Sequence, residues 1–120
     1  MLNLDTHILL QALAGRLKPR EHELLQSRTW SISAIVLWEI AKLAELGRIE
    51  VDLHSPELTR VISRVHLWPL TLEVCRAIDT LDFDSDPADE IIAATSVVER
   101  VPLVTRDVKL RRSKVVPLAR

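Results

Sequence analysis

The sequence predicts an α/β fold: a three-layer α/β/α sandwich with a central, mainly parallel sheet. Short apolar runs of strand character alternate along the chain with helical segments, the pattern of a parallel sheet covered on both faces. Helix start and stop signals fall between them, at Gly15, Gly47, Ser55-Pro56 and Asp86-Pro87. Acidic residues recur at or beside the ends of the apolar runs, where sheets of this kind place their sites.

Met1 to Asp5 reads as a short buried strand, followed by a helix from Thr6 to Ala14 that stops at Gly15, with Lys18-Pro19 beyond it. Glu21 to Ser27 forms a short helix. From Thr29 to Ser33, Trp30 and Ile32 alternate with small polar residues, as in a strand. Ser33 or Ser31 then caps a helix from Ala34 to Leu46, closed by Gly47. Ser55 caps a helix through Arg64, with Pro56 at its first position. A third strand spans Val65 to Leu70, and Thr71 caps a helix to Leu81. Asp86-Pro87 opens a helix to Arg100, and the last strands are Leu103 to Thr105 and Val115 to Leu118.

At 120 residues and 48% apolar content the chain has enough material for one domain, residues 1–120, with a real core. Its two glycines cannot build a glycine-rich phosphate loop, which removes the usual nucleotide-binding folds as first choices. Cys75 is alone, so neither an intrachain disulfide nor a cysteine zinc site is available; its apolar neighbours Leu72, Val74, Ala77 and Ile78 favour a core position over a nucleophile. The start of the chain lacks a basic segment followed by a long apolar one, and the longest uncharged apolar-rich run, Thr29 to Trp38, is too short to span a bilayer. A cytoplasmic protein with no membrane partner is the expectation.

Net charge is −1 and argues for no partner, but the distribution is uneven. Arg106, Lys109, Arg111, Arg112, Lys114 and Arg120 crowd the end of the chain against one acid, Asp107, and Arg16, Lys18 and Arg20 form a second basic group. These would suit a polyanionic substrate, or they form a solvated tail.

Four acids carry most of the functional information: Asp5, Glu39, Asp89 and Asp107. Each adjoins or interrupts an apolar segment, a costly place for a lone carboxylate. Two carboxylates about 4 Å apart repel by roughly 4 kcal/mol at an effective dielectric near 20, and a divalent cation with oxygen ligands is the usual compensator. Asp5 ends a strand that fixes its direction, or simply caps the next helix. Glu39 either points into the site or forms an exposed pair with Lys42. Asp86 has the form of a cap before Pro87, leaving Asp89 in the first helical turn as the site residue. Asp107 is a ligand or a turn residue, and Thr105 could orient a carboxylate through its hydroxyl.

His7, His22, His54 and His66 lack the paired spacing of zinc sites, and His7 is expected to cap or pack rather than touch substrate. Trp30, Trp38 and Trp68 are read as core, with base stacking by one of them the competing role. Neither a Gly-x-Ser-x-Gly motif nor a Cys/His pair offers covalent catalysis.

In order, Leu4-Asp5-Thr6-His7-Ile8-Leu9-Leu10, Ser33-Ala34 with Leu37-Trp38-Glu39-Ile40-Ala41, Gly47-Arg48-Ile49, Asp86-Pro87-Ala88-Asp89 with Ile91-Ile92-Ala93-Ala94-Thr95, and Val104-Thr105-Arg106-Asp107 resemble the successive signatures of PIN-domain proteins, most closely the VapC-type toxins of bacterial toxin–antitoxin pairs. Glu90, Gln11 and Ser96 depart from that pattern, which more often has a basic residue, tryptophan and alanine there.

The resemblance implies a magnesium- or manganese-dependent endoribonuclease whose metal site is Asp5, Glu39, Asp89 and Asp107, supported by Thr6, Ser33, Asp86 and Thr105. It also implies a VapB-like antitoxin that wraps the toxin and obstructs the site, and a toxin homodimer. Three other readings compete. A PIN domain that binds RNA or protein without cutting is opposed by the retention of all four acids. A phosphatase for small esters is disfavoured because no Asp-x-Asp stands at the first strand end. A purely structural sheet protein leaves the four placements as coincidence.

Overall fold

A computed structural model describes all 120 residues. Its sheet is built from β1 (Leu2–Leu4), β2 (Trp30–Ser33), β3 (His66–Trp68) and β4 (Leu103–Val104), in the order β3-β2-β1-β4 and parallel throughout. β1 lies inside the sheet and is buried at every residue, so both of its faces are covered, as the layered α/β/α arrangement requires. Side chains alternate along a strand. Leu2 and Leu4 therefore enter one apolar layer, while Asn3 and Asp5 face the other.

The covering helices are α1 (Thr6–Leu13), α2 (Pro19–Gln26), α3 (Ala34–Glu45), α4 (Pro56–Ser63), α5 (Leu72–Ala77), α6 (Pro87–Glu99) and α7 (Val108–Arg111). Side-chain caps from Ser33, Ser55 and Thr71 start α3, α4 and α5, as the capping rule anticipates. Gly15 and Gly47 follow α1 and α3 with φ of 69° and 72°, a left-handed conformation that suits glycine. The core joins Leu2, Leu4, Ile8, Ile32, Ile40 and Ile92, all 1% exposed or less. Asn3 fixes α6 on its face of the sheet by donating from Nδ2 to the Ile92 carbonyl (3.3 Å) and to Ser96 Oγ (2.9 Å). No helix is long and apolar enough to cross a membrane.

Several expectations need correction. The expected strand Val115 to Leu118 is reduced to one parallel bridge between Leu103 and Leu118. Ser113 Oγ accepts from the N–H groups of Val115 and Val116, and Pro117 has no N–H to offer a ladder. The helix expected to reach Leu81 passes into a 3-10 turn at Ile78–Thr80. The chain from Val108 to Arg111 is a short helix absent from the sequence reading, since four residues are too few to show an apolar period. Cys75 is exposed, because α5 packs through Val74. Trp38 is 54% exposed, on the side of α3 away from buried Val36 and Ile40, while Trp30 and Trp68 are only partly buried. His7 is exposed and does not pack into the core.

Candidate active site

The central position of β1 places Asp5 beyond its last strand residue, at the C-terminal end of the sheet. Its backbone N–H donates to the Val104 carbonyl at 3.1 Å, which fixes the chain's direction there. Asp5 occupies the cap position of α1, yet its carboxylate makes no capping bond, so the simple capping role is not what this side chain does. It is 3% exposed; Oδ2 accepts from the Thr105 hydroxyl at 2.5 Å, and Oδ1 is buried with no partner. A buried carboxylate oxygen left without a donor is costly and calls for a cation or a proton.

Glu39 reaches the same region from α3. Its Oε1 accepts a short hydrogen bond from the buried Thr6 hydroxyl. Lys42 lies 3.4 Å from Glu45 instead, so the exposed Glu39–Lys42 pair does not form. Asp89 projects from the first turn of α6 and accepts from Ser85 Oγ at 3.1 Å. Asp107 caps α7, its Oδ1 taking the N–H groups of Lys109 (2.8 Å) and Leu110 (3.2 Å). It is therefore more than a turn residue, and one of its oxygens has a structural role.

Electrostatics tie the four together. Burial pushes the Asp89 carboxyl up to about 6; the charges on Asp5, Glu39 and Asp107 push in the same direction, against the opposing hydrogen bond from Ser85. As placed, no group of three or more His, Cys, Asp or Glu side chains is close enough together to hold a metal ion. Thr6 holds Glu39, Ser85 holds Asp89, and the α7 N-terminus holds Asp107, so each of these acids has a partner of its own while Asp5 Oδ1 has none. The donor set is entirely oxygen, which fits a hard divalent cation. An open cavity of about 360 Å³ beside them is lined by Ser85, Asp86, Asp89, Asp107, Val108 and Lys109.

Of the supporting residues, Thr6 and Thr105 touch the acids directly. Thr105 also accepts from the Asp107 N–H at 3.0 Å, so one hydroxyl links two of the carboxyl-bearing segments. Ser33 uses its hydroxyl on the Ile35 N–H at 3.3 Å, a cap rather than a contact to an acid. Asp86 sits at the cap position of α6 but makes no side-chain cap bond, and lines the cavity instead.

Two participants were not foreseen. Ser85 holds Asp89, and Glu90 Oε2 accepts from the Ser85 N–H at 3.2 Å, which ties the segment before α6 to its first turn. The four-residue step from Ser85 to Asp89 across a helix start is the signal that could have revealed the first of these bonds. The basic C-terminal segment is not a free tail: Asp82 accepts from Ser113 Oγ (2.6 Å) and the Lys114 N–H (2.8 Å). Those bonds hold the Asp82 carboxyl below its ordinary range.

Solved structures with this fold include a toxin–antitoxin complex from Klebsiella pneumoniae (TM-score 0.68, 19% identity, 93% of this chain and 91% of that one). A second is VapBC2 from Rickettsia felis bound to a DNA fragment from their promoter (TM-score 0.73, 19% identity, 99% and 98%). A third is FitAcB from Neisseria gonorrhoeae (TM-score 0.66, 20% identity, 99% and 97%). No curated protein sequence matches the chain. The family model for the PIN domain matches residues 3–115, from within β1 through Asp5 and α1 to beyond the Asp107 turn; the chain belongs to the PIN domain family.

Proposed function

We propose that this chain is the toxin ribonuclease of a VapBC-type toxin–antitoxin pair, a metal-dependent endonuclease that hydrolyses RNA phosphodiesters. The observation that carries the reading is the buried, partnerless Asp5 oxygen, with Asp5, Glu39 and Asp107 all near enough to Asp89 for their charges to reinforce its raised pKa. PIN domains are generally nucleases, usually with divalent metals. Here Asp5, Glu39, Asp89 and Asp107 would hold magnesium or manganese. A bound ion of this kind acidifies water and offsets charge developing at phosphorus. Thr105 keeps Asp5 aimed from β1, and Thr6 keeps Glu39 on the same side of the sheet. The one cysteine, Cys75, is exposed on α5, and Ser85 uses its hydroxyl to hold Asp89, so hydrolysis by water rather than a covalent enzyme intermediate is the route proposed.

The antitoxin half of the reading is supported by likeness to toxin–antitoxin complexes and by an apolar groove. That groove, about 440 Å³, lies between α3 and α4 and is lined by Leu37, Ile40, Leu53, Leu58 and Ile62. With Leu53 exposed along it, it offers an apolar antitoxin segment a surface to bury.

The test compares the wild-type chain with Asp5→Asn on structured and single-stranded RNA, with magnesium, manganese or chelator. Cleavage is expected from the wild type alone and is lost on chelation, while both proteins melt cooperatively. Equal cleavage by both would remove Asp5 from the mechanism. The second reading, a PIN domain that binds RNA or protein without cutting, is favoured by the acids standing apart rather than caged. It would be adopted if folded wild-type protein bound RNA but left every substrate intact in manganese.

A further inference from the structure

A cavity of about 490 Å³ opens beside the C-terminal end of β4, sharing no lining residue with the one at Asp89. It lies between the start of α2 and the C-terminal end of β4. Five cationic side chains line it, Lys18, Arg20, Arg106, Arg111 and Arg120, against a single carboxylate, Glu21. That carboxylate is fully engaged by Arg106, whose Nε and Nη2 donate to its two oxygens at 2.7 and 2.6 Å. Arg20 pairs with Glu23 at the surface. Lys18, Arg111 and Arg120 make no ion pair at all. Three cations outside any ion pair around one cavity, facing a single carboxylate already bound by Arg106, attract an anion.

Thr105 connects this cavity to the acids. Its hydroxyl holds Asp5 while its carbonyl, on the cavity side, accepts from Arg111 Nη1 at 3.1 Å. A polyanionic strand that engaged the acids with one phosphodiester would have to lead its neighbouring phosphates away from four carboxylates. The cavity at Asp89 and Asp107 is lined by one further acid, Asp86, with Lys109 its one cation. The Thr105 flank is cationic. We propose that this cavity binds backbone phosphates of the RNA strand adjacent to the one at the acids, so that the strand runs from the acidic cleft past Thr105 and over Lys18 and Arg120. The assignment rests on the ribonuclease reading. Contacts to phosphate position a strand without reading its sequence, so the cavity serves affinity and register.

The experiment measures binding rather than cutting. Anisotropy of a short fluorescein-labelled single-stranded RNA is followed in magnesium on an Asp5→Asn background. The parent is compared with a Lys18→Ala/Arg120→Ala pair and with Arg28→Ala/Arg64→Ala. The latter removes the same charge from a separate cavity lined by Trp30 at the start of β2. The cavity pair should weaken binding on the order of tenfold and flatten the salt dependence by about 0.7 in log–log slope for each phosphate it no longer neutralises. The remote pair should change affinity by less than about twofold. Equal weakening by both pairs would overturn the cavity assignment and leave the ribonuclease reading standing. A folded parent with no RNA affinity would overturn both. An oligoglutamate peptide that binds the parent more tightly than RNA does, and loses that advantage in the cavity pair, would reassign the cavity to an acidic protein segment.

Discussion

Glu21 and Asp89 are partly buried carboxylates on opposite flanks of Thr105, and their acidities move in opposite directions. The two-pronged hydrogen bond from Arg106 holds Glu21 below the usual carboxylate range, outweighing the burial that opposes it. Burial, reinforced by Asp5, Glu39 and Asp107, pushes Asp89 up to about 6. The same cost is answered within the chain on one flank and left open on the other. An internally compensated carboxylate pins elements together; an uncompensated one is poised for something from outside.

The largest expected effect breaks the uncompensated side. Asp89→Asn should abolish RNA cleavage and, without metal, raise the melting temperature at neutral pH. The sign follows from linkage. The folded pKa near 6 lies above the ordinary 3.8, so the folded state retains a proton that the unfolded state has released. Wild-type stability therefore falls as pH rises from about 4 to 6 and stays lower above that window. The variant lacks this decline, so the two melting curves should coincide near pH 4 and separate at about pH 7. A variant that melts below the wild type at neutral pH would show that Asp89 is compensated after all.

Thr105 touches both flanks, through its hydroxyl to Asp5 and its carbonyl to Arg111. Thr105→Val keeps the shape but removes the 2.5 Å bond to Asp5 and the acceptor for the Asp107 N–H. Removing a supporting bond of this kind typically costs about 10–100-fold in activity. Thr105→Ser should recover most of it, because the hydroxyl returns. Wild-type rates in Thr105→Val would mean that β1 alone aims Asp5.

Most of this layout is legible in the sequence wherever one strong local rule acts. The end of a buried strand places Asp5, and α3, α4 and α5 begin at the hydroxyls the capping rule selects. Glu39 stays undecided in the sequence, because partial burial on an apolar helix and an i,i+3 pair look alike until Thr6 is in place. Arg111 and the Arg106–Glu21 pair are invisible for a different reason. Their partners are set by how the β4 turn meets α2 and α7, which is not a pattern of spacing. Trp38 and Cys75 have apolar neighbours in sequence, but each lies on the outer side of its helix, so those neighbours do not surround it in space.

The smallest effect tests the compensated side. Glu21→Gln keeps an acceptor for the Lys18 N–H but removes the charge facing Arg106, whose side chain is 31% exposed against 12% for Glu21. Solvent screening at the arginine limits the destabilisation to about 1 kcal/mol. The linkage sign is now reversed. A folded pKa below the ordinary 4.5 gives the wild type stability that is present at neutral pH and fades as acid protonates Glu21. Glu21→Gln should therefore melt below the wild type at neutral pH and converge with it in acid, where Asp89→Asn converges from above. Urea titrations of both variants from about pH 3 to 8 would read the two flanks in one experiment. If both curves diverged in the same direction at neutral pH, burial alone would govern the two carboxylates, and the contrast between an answered and an open charge would fail.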